Sequence, residues 1–239
     1  MINLKINNLN SRFYPSSLGF RNKTVILLNG LPGKPKDYEV ISKLNNLGFD
    51  VFMPEYEGTW DSSGSFLSAH PAFAIDEFIK SIVSGISISD ALKYSTDNVY
   101  VLGSSFGGWV GLSINNFDTL KKVCLLSPVI KFQQVRNIST LGDYLKQTFP
   151  NDYRFEYSNW SLLINDKIEK NERVLTSQPD KVMIVAGRND DQIDINEIVQ
   201  FSKSRDIKLD IEDVGHITFS KISEEIMIKI MKFFDTSRL

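Results

Sequence analysis

Val99-Tyr100-Val101-Leu102-Gly103-Ser104-Ser105-Phe106-Gly107 is the stretch on which the fold turns. A short β-branched, apolar run reads as a buried strand. It passes through Gly103 into a segment, Phe106–Ile114, that reads as a helix. At the junction the residues match G-x-S-x-G. The pattern is weak by itself and gains weight from a sharp strand-to-helix turn. The flanking glycines permit the bend, and Ser105 is pushed out at the top of the sheet. The backbone N–H groups that follow, with the field of a helix N-terminus, point at the same spot. Two other strand–turn–helix chemistries fail on residue type. A dinucleotide-binding turn needs glycine where Ser105 stands. Gly30-Leu-Pro-Gly33-Lys34 cannot be a phosphate loop, because position 28 is Leu and position 35 is Pro.

Working outward, similar short runs recur at Val25–Asn29, Val51–Pro54, Lys122–Leu126, Lys181–Ala186 and Ile207–Ile211. Helical spacing lies between them. Tyr38, Ile41, Leu44 and Leu47 run up to Gly48, a helix-ending residue. Ile75, Phe78, Ile79 and Ile82 follow Pro71, which suits a first turn. Further helices are expected over Ile195–Lys203 and on the stripe Ile222, Ile226, Ile230, Phe233. Glu55 to His70 reads as a long, turn-rich loop. This alternation predicts an α/β protein, a mostly parallel sheet with helices on both faces. Residues 1–239 are expected to form a single domain. Leu126 to Val182 is longer than a plain crossover needs. We expect a small helical cap insertion at about 128–179, carrying Tyr144, Phe149, Tyr153, Phe155, Tyr157 and Trp160, with helical spacing around Ile164–Val174. Most of these aromatics are expected to pin the insertion to the core, and some to line a pocket.

Composition narrows the class. With 42% apolar and 23% charged residues, the 239-residue chain can bury a substantial core. Its net charge of −2 lacks the strongly basic face of a sequence-independent nucleic-acid binder. No run approaches the roughly 18–20 apolar residues of a membrane helix. The start of the sequence does not read as a signal peptide. The single cysteine, Cys124, forbids an internal disulfide and fits a reducing, cytoplasmic compartment. Two histidines and one cysteine are too few for a structural zinc site, and no cofactor is expected.

A serine hydroxyl needs a base to take its proton, and the base needs an acid to hold its tautomer. His70 and His216 are the two bases available. His70 stands before Pro71 and is expected to be solvated or capping. His216, in Val214-Gly-His216, falls after the last expected strand, on the carboxyl side of the sheet. For the acid, Asp190 and Asp191 follow the strand that ends at Ala186, and both cannot face the histidine. We prefer Asp190, with Asp191 as a solvated turn or capping residue. The order serine, acid, histidine is that of α/β-hydrolases, not of chymotrypsin or subtilisin.

Asn29-Gly-Leu-Pro-Gly33 resembles the H-G-x-P-G oxyanion loop of α/β-hydrolases, and Gly103–Gly107 resembles their nucleophile elbow. Gly187–Ile193 is similar to their acid loop, and Gly215-His216 to their histidine loop. Pro54–Trp60 and Ser63–Phe66 further resemble small prolyl-oligopeptidase-like and dienelactone-hydrolase-like members. The resemblance implies an α/β-hydrolase fold and a serine hydrolase of carboxylic esters, thioesters or small amides acting through an acyl-enzyme. It also implies an oxyanion hole made by the backbone N–H groups of Leu31 and Phe106. Asn29 departs from the family pattern, which usually has histidine there. Other uses of the fold are a non-catalytic binding protein, an acyltransferase or a carbon–carbon bond hydrolase using the same triad. The expected partner is a small molecule, with no nucleic acid and no membrane; substrate identity and oligomeric state are not legible.

Overall fold

The computed structural model of the chain describes every residue except 21, 91, 116–117, 166, 169–177 and 235–239. In chain order the elements are β1 (Ile2–Ile6), β2 (Leu9–Tyr14), β3 (Thr24–Leu28), α1 (Glu39–Asn46), β4 (Asp50–Pro54) and α2 (Ala72–Ser84). Next come β5 (Ile86–Ser89), β6 (Leu92–Tyr94), β7 (Val99–Ser104), α3 (Phe106–Gly111) and β8 (Leu120–Leu126). The rest are α4 (Ile138–Gln147), α5 (Tyr157–Ile164), β9 (Val182–Gly187), α6 (Ile195–Ser204), β10 (Lys208–Glu212) and α7 (Glu224–Phe234).

Eight strands form one sheet in the order β1-β2-β4-β3-β7-β8-β9-β10. From β4 to β10 neighbouring strands are parallel; β2 pairs antiparallel with β4, and β1 with β2. All six expected strands are present. The β1–β2 hairpin and the small β5–β6 hairpin are additions to them.

Alternation along the strands builds two cores. Ile26 and Leu28 of β3, Val101 of β7, Leu125 of β8 and Ile184 of β9 face one side, where they meet Ile75, Phe78, Ile79 and Ile82 of α2 and Trp109 of α3. Val25, Leu27, Leu102, Cys124 and Val185 face the other, against Ile41 and Leu44 of α1 and Ile226 and Ile230 of α7. Continuous apolar strands buried on both faces are what a helix-covered parallel sheet requires. The outer strand β10 places Asp210 and Glu212 beside Lys229 of α7, with Lys229 Nζ 2.7 Å from Asp210 Oδ1.

Strand order reverses at the centre. The chain runs from β3 to β4 on one side, then crosses back to β7 on the other. In open α/β sheets that reversal leaves a crevice beyond the carboxyl ends of the two central strands. Here it lies beyond Leu28 and Ser104.

Between β8 and β9, α4 and α5 pack closely, and a Cβ on Gly142 would come 2.6 Å from Trp160 Nε1. This segment interlocks with the loop after β4. Trp60 N–H donates to the Asp152 carbonyl (2.8 Å), and Arg154 N–H donates to the Gly58 carbonyl (2.8 Å). The Arg154 guanidinium donates to the carbonyls of Trp60 and Ser62. Of the six aromatics, Tyr153, Phe155 and Trp160 are buried, while Tyr144, Phe149 and Tyr157 are exposed. The expected helical spacing around Ile164–Val174 lies largely outside the described residues.

Candidate active site

Ser105 sits between β7 and α3 with φ 55° and ψ −115°, in a region that residues with a side chain rarely occupy. The turn is tight enough to demand glycine. A Cβ on Gly107 would lie 1.9 Å from the Leu28 carbonyl oxygen, and one on Gly103 would lie 2.5 Å from that of Gly107. Ser105 N–H donates to the Leu126 carbonyl (2.9 Å), tying the turn to the end of β8. Ser105 is half-buried; Ser104 and Phe106 on either side of it are buried.

The loop after β3 lies against this turn, because a Cβ on Gly30 would come 3.1 Å from Ser105 Cβ. Leu31, the next residue, is therefore carried to the elbow that presents Phe106. Tyr56 joins the two: its hydroxyl donates to the Asn29 carbonyl (2.7 Å), and its ring packs edge-on to Phe106 at 5.2 Å.

At the ends of β9 and β10, Asp190 Oδ2 lies 2.8 Å from His216 Nδ1, and both side chains are almost fully buried. The other oxygen, Oδ1, accepts the N–H groups of Gln192 (2.9 Å) and Ile193 (3.0 Å). Burial raises the carboxyl's pKa, but the bond and charge of His216 and the two N–H groups outweigh it, and Asp190 titrates below the usual range. An ionised Asp190 accepts from Nδ1–H, which leaves Nε2 as the basic nitrogen. Gly187 permits the two loops to meet, since a Cβ there would lie 2.1 Å from the Gly215 carbonyl oxygen. Asp191 is exposed.

Two serines bring the histidine loop to the elbow. Ile217, directly after His216, gives its N–H to Ser127 Oγ (3.2 Å), and its carbonyl accepts from Ser104 Oγ (3.3 Å). Ser104 is the residue before Ser105. The structure thus joins Asp190 to His216 directly and ties both to the neighbour of Ser105. Sequence reasoning did not find Ser104, Ser127 or Tyr56. Nothing separates these serines from others at strand ends, and Tyr56 lies in a stretch that reads as solvated loop.

His70 is buried, not solvated; its Nδ1 accepts the Ala72 N–H (3.1 Å) as a cap, and its ring stacks on Trp109 at 3.9 Å. Among the described residues no group of three or more His, Cys, Asp or Glu is placed to hold a metal. Cys124 is buried in β8, which pushes its thiol pKa up and away from reactivity. No helix among the described residues is long and apolar enough to cross a membrane.

Solved structures share this architecture over nearly the whole chain. An esterase of Pyrococcus furiosus is 18% identical with a TM-score of 0.67, the match covering 97% of this chain and 88% of that one. An α/β hydrolase from the sediment metagenome of the Mar Chica lagoon, Morocco, is 16% identical with a TM-score of 0.66, covering 97% of each chain. A monoacylglycerol lipase of Paleococcus ferrophilus is 16% identical with a TM-score of 0.63, covering 95% of this chain and 98% of that one. At such identities the likeness establishes the α/β-hydrolase fold. No curated protein sequence matches the chain. The sequence profile of the Uncharacterised protein family (UPF0227) matches residues 67–235, from the loop before α2 to just past α7. The chain belongs to the UPF0227 family and has the α/β-hydrolase fold.

Proposed function

We propose that the protein is a serine hydrolase that cleaves carboxylic esters, thioesters or small amides through an acyl-enzyme. The observation that carries this is the buried Asp190–His216 pair, tied through Ile217 to the elbow on which Ser105 is held at positive φ. Ser105 Oγ attacks the substrate carbonyl carbon while His216 Nε2 takes the hydroxyl proton. Asp190 holds the ring and stabilises the imidazolium that forms. The N–H groups of Leu31 and Phe106 receive the developing oxyanion, and each such donor typically contributes on the order of 3 kcal/mol to the transition state. Collapse expels the alcohol, thiol or amine, which leaves with the proton from His216. Water, deprotonated by the same nitrogen, then releases the acid and restores Ser105.

Esters are the first substrates to try, because structural neighbours carry the names esterase and lipase. The described residues of the 128–179 segment act in this reading as a cap over the site, fastened by Arg154 and the backbone pairing of Asp152 and Arg154. Fluorophosphonate labelling and p-nitrophenyl butyrate turnover test the proposal. Both are expected in the wild type and lost in Ser105→Ala; labelling that survives Ser105→Ala overturns it.

A further inference from the structure

A proton passes from Ser105 to His216 only within hydrogen-bond reach, and a misplacement of about 1 Å can cost about a hundredfold in rate. Asp190 holds the histidine at one ring atom, Nδ1. A ring held at one atom can still pivot about it, so the backbone behind the ring decides where Nε2 points. That backbone runs directly into Ile217, whose side chain lies in the core that α1 and α7 cover. Apolar contact is non-directional and fixes depth; hydrogen bonds weaken steeply when misaligned and fix orientation.

Ile217 has one such bond on each of its backbone polar groups. Its N–H donates to Ser127 Oγ (3.2 Å), and its carbonyl accepts from Ser104 Oγ (3.3 Å). All three residues are buried, so bulk water does not replace a lost partner. Both serines stand on rigid elements. Ser104 ends β7 and pairs with Leu126 of β8. Ser127 comes directly after Leu126, and its own N–H donates to the Val185 carbonyl of β9 (2.8 Å). Three adjacent strands thus grip one residue of the histidine loop. Ser105 and His216 each stand one residue from an end of the Ser104 bond.

We infer that Ser104 and Ser127 are positioning residues: together they set where His216 Nε2 stands relative to Ser105 Oγ. The inference rests on the proposed hydrolase reaction and adds to it the device that registers base to nucleophile.

A double-mutant comparison with p-nitrophenyl butyrate tests it. Ser104→Ala and Ser127→Ala are each expected to lower kcat by about tenfold or more, with KM changed less than about twofold, in variants that melt within a few degrees of wild type. Removing a triad member leaves residual catalysis from the oxyanion hole and binding. In a His216→Ala background there is no base to misplace, so adding Ser104→Ala is expected to change the residual rate by less than about twofold. Single variants that both stay within about twofold of wild type overturn the inference while the hydrolase stands. So does a full tenfold loss in the His216→Ala background, which would mean that Ser104 supports the elbow or the oxyanion donors instead.

If wild type turns over no ester and resists fluorophosphonate, the hydrolase reading fails, and amide hydrogen exchange judges the clamp. Ser104→Ala leaves the Ile217 N–H its own acceptor, so faster exchange there reads a loosened loop. We expect exchange at that N–H to quicken by about tenfold or more, with the central strands unchanged. Exchange equal to that of wild type overturns the clamp. If Ser104→Ala unfolds, Ser127→Ala carries both comparisons.

Discussion

Asp190 uses one oxygen to hold His216 and the other to hold its own loop, through Gln192 and Ile193. The division makes a sharp test. Asp190→Asn can keep the two loop bonds through its amide oxygen, but it presents a donor to Nδ1 and enforces the wrong tautomer. We expect kcat to fall by about 10³–10⁴-fold with a far smaller change in KM, read by ester kinetics on a variant that melts near wild type. Ser105, Asp190 and His216 could be named as a candidate triad from the sequence because histidine is scarce and the chain order restricts the choice. With two histidines, one following the acid, little freedom remained. The choice of Asp190 over Asp191 agrees with the bond to His216. Tyr153 was not legible as a polar group, because an aromatic in an insertion looks like packing until its hydroxyl is found without a partner among the described residues.

Elements that read clearly were those whose residues are buried on both faces. β3 and β9, with Val99–Leu102 of β7 and Val123–Leu126 of β8, are near-continuous apolar runs because helices cover them on either side. The β1–β2 hairpin escaped because it lies at the rim: Ile2-Asn-Leu-Lys-Ile6 is largely exposed, and its turn depends on Asn7 at φ 54°. Its place comes from antiparallel pairing with β4, a tertiary fact that local pattern does not carry. The loop after β4 is more than a connection. Through Tyr56 it supports the loop that presents Leu31 and packs on Phe106. Tyr56→Phe leaves the Asn29 carbonyl without its donor, at a stability cost of about 1–3 kcal/mol by urea unfolding. Under the proposed mechanism it also lowers kcat by about tenfold with KM little changed, since a displaced donor is felt chiefly in the transition state.

For the whole molecule, three of the buried carboxyls, Asp50, Glu55 and Asp190, contribute to how stability responds to pH. Burial raises the pKa values of Asp50 and Glu55 despite the hydrogen bonds they accept, whereas that of Asp190 is lowered. Raised groups hold their protons more tightly when folded. Their contribution is fully present below the ordinary carboxylate range and declines as pH rises through the raised values. The Asp190 contribution runs the other way: present above the ordinary value, it is lost as pH falls through the lowered one. Urea unfolding of wild type and Asp50→Asn across mildly acidic to neutral pH separates these. Asp50→Asn is expected to flatten the decline above the ordinary range and leave the acid limb in place; an unchanged slope refutes the assignment to Asp50.

The outer strand β10 has a consequence of a different kind. A parallel sheet that ends in an open strand offers its free backbone groups to any passing chain and is a seed for fibres. Here that border carries Lys208, Asp210 and Glu212 at alternate positions, with Lys229 bound to the two acids. A strand docking alongside would have to strip water from the whole charged group. The same alternation that turns Leu209 toward the core thus keeps the sheet from growing past its eighth strand, and so keeps one molecule from templating the next.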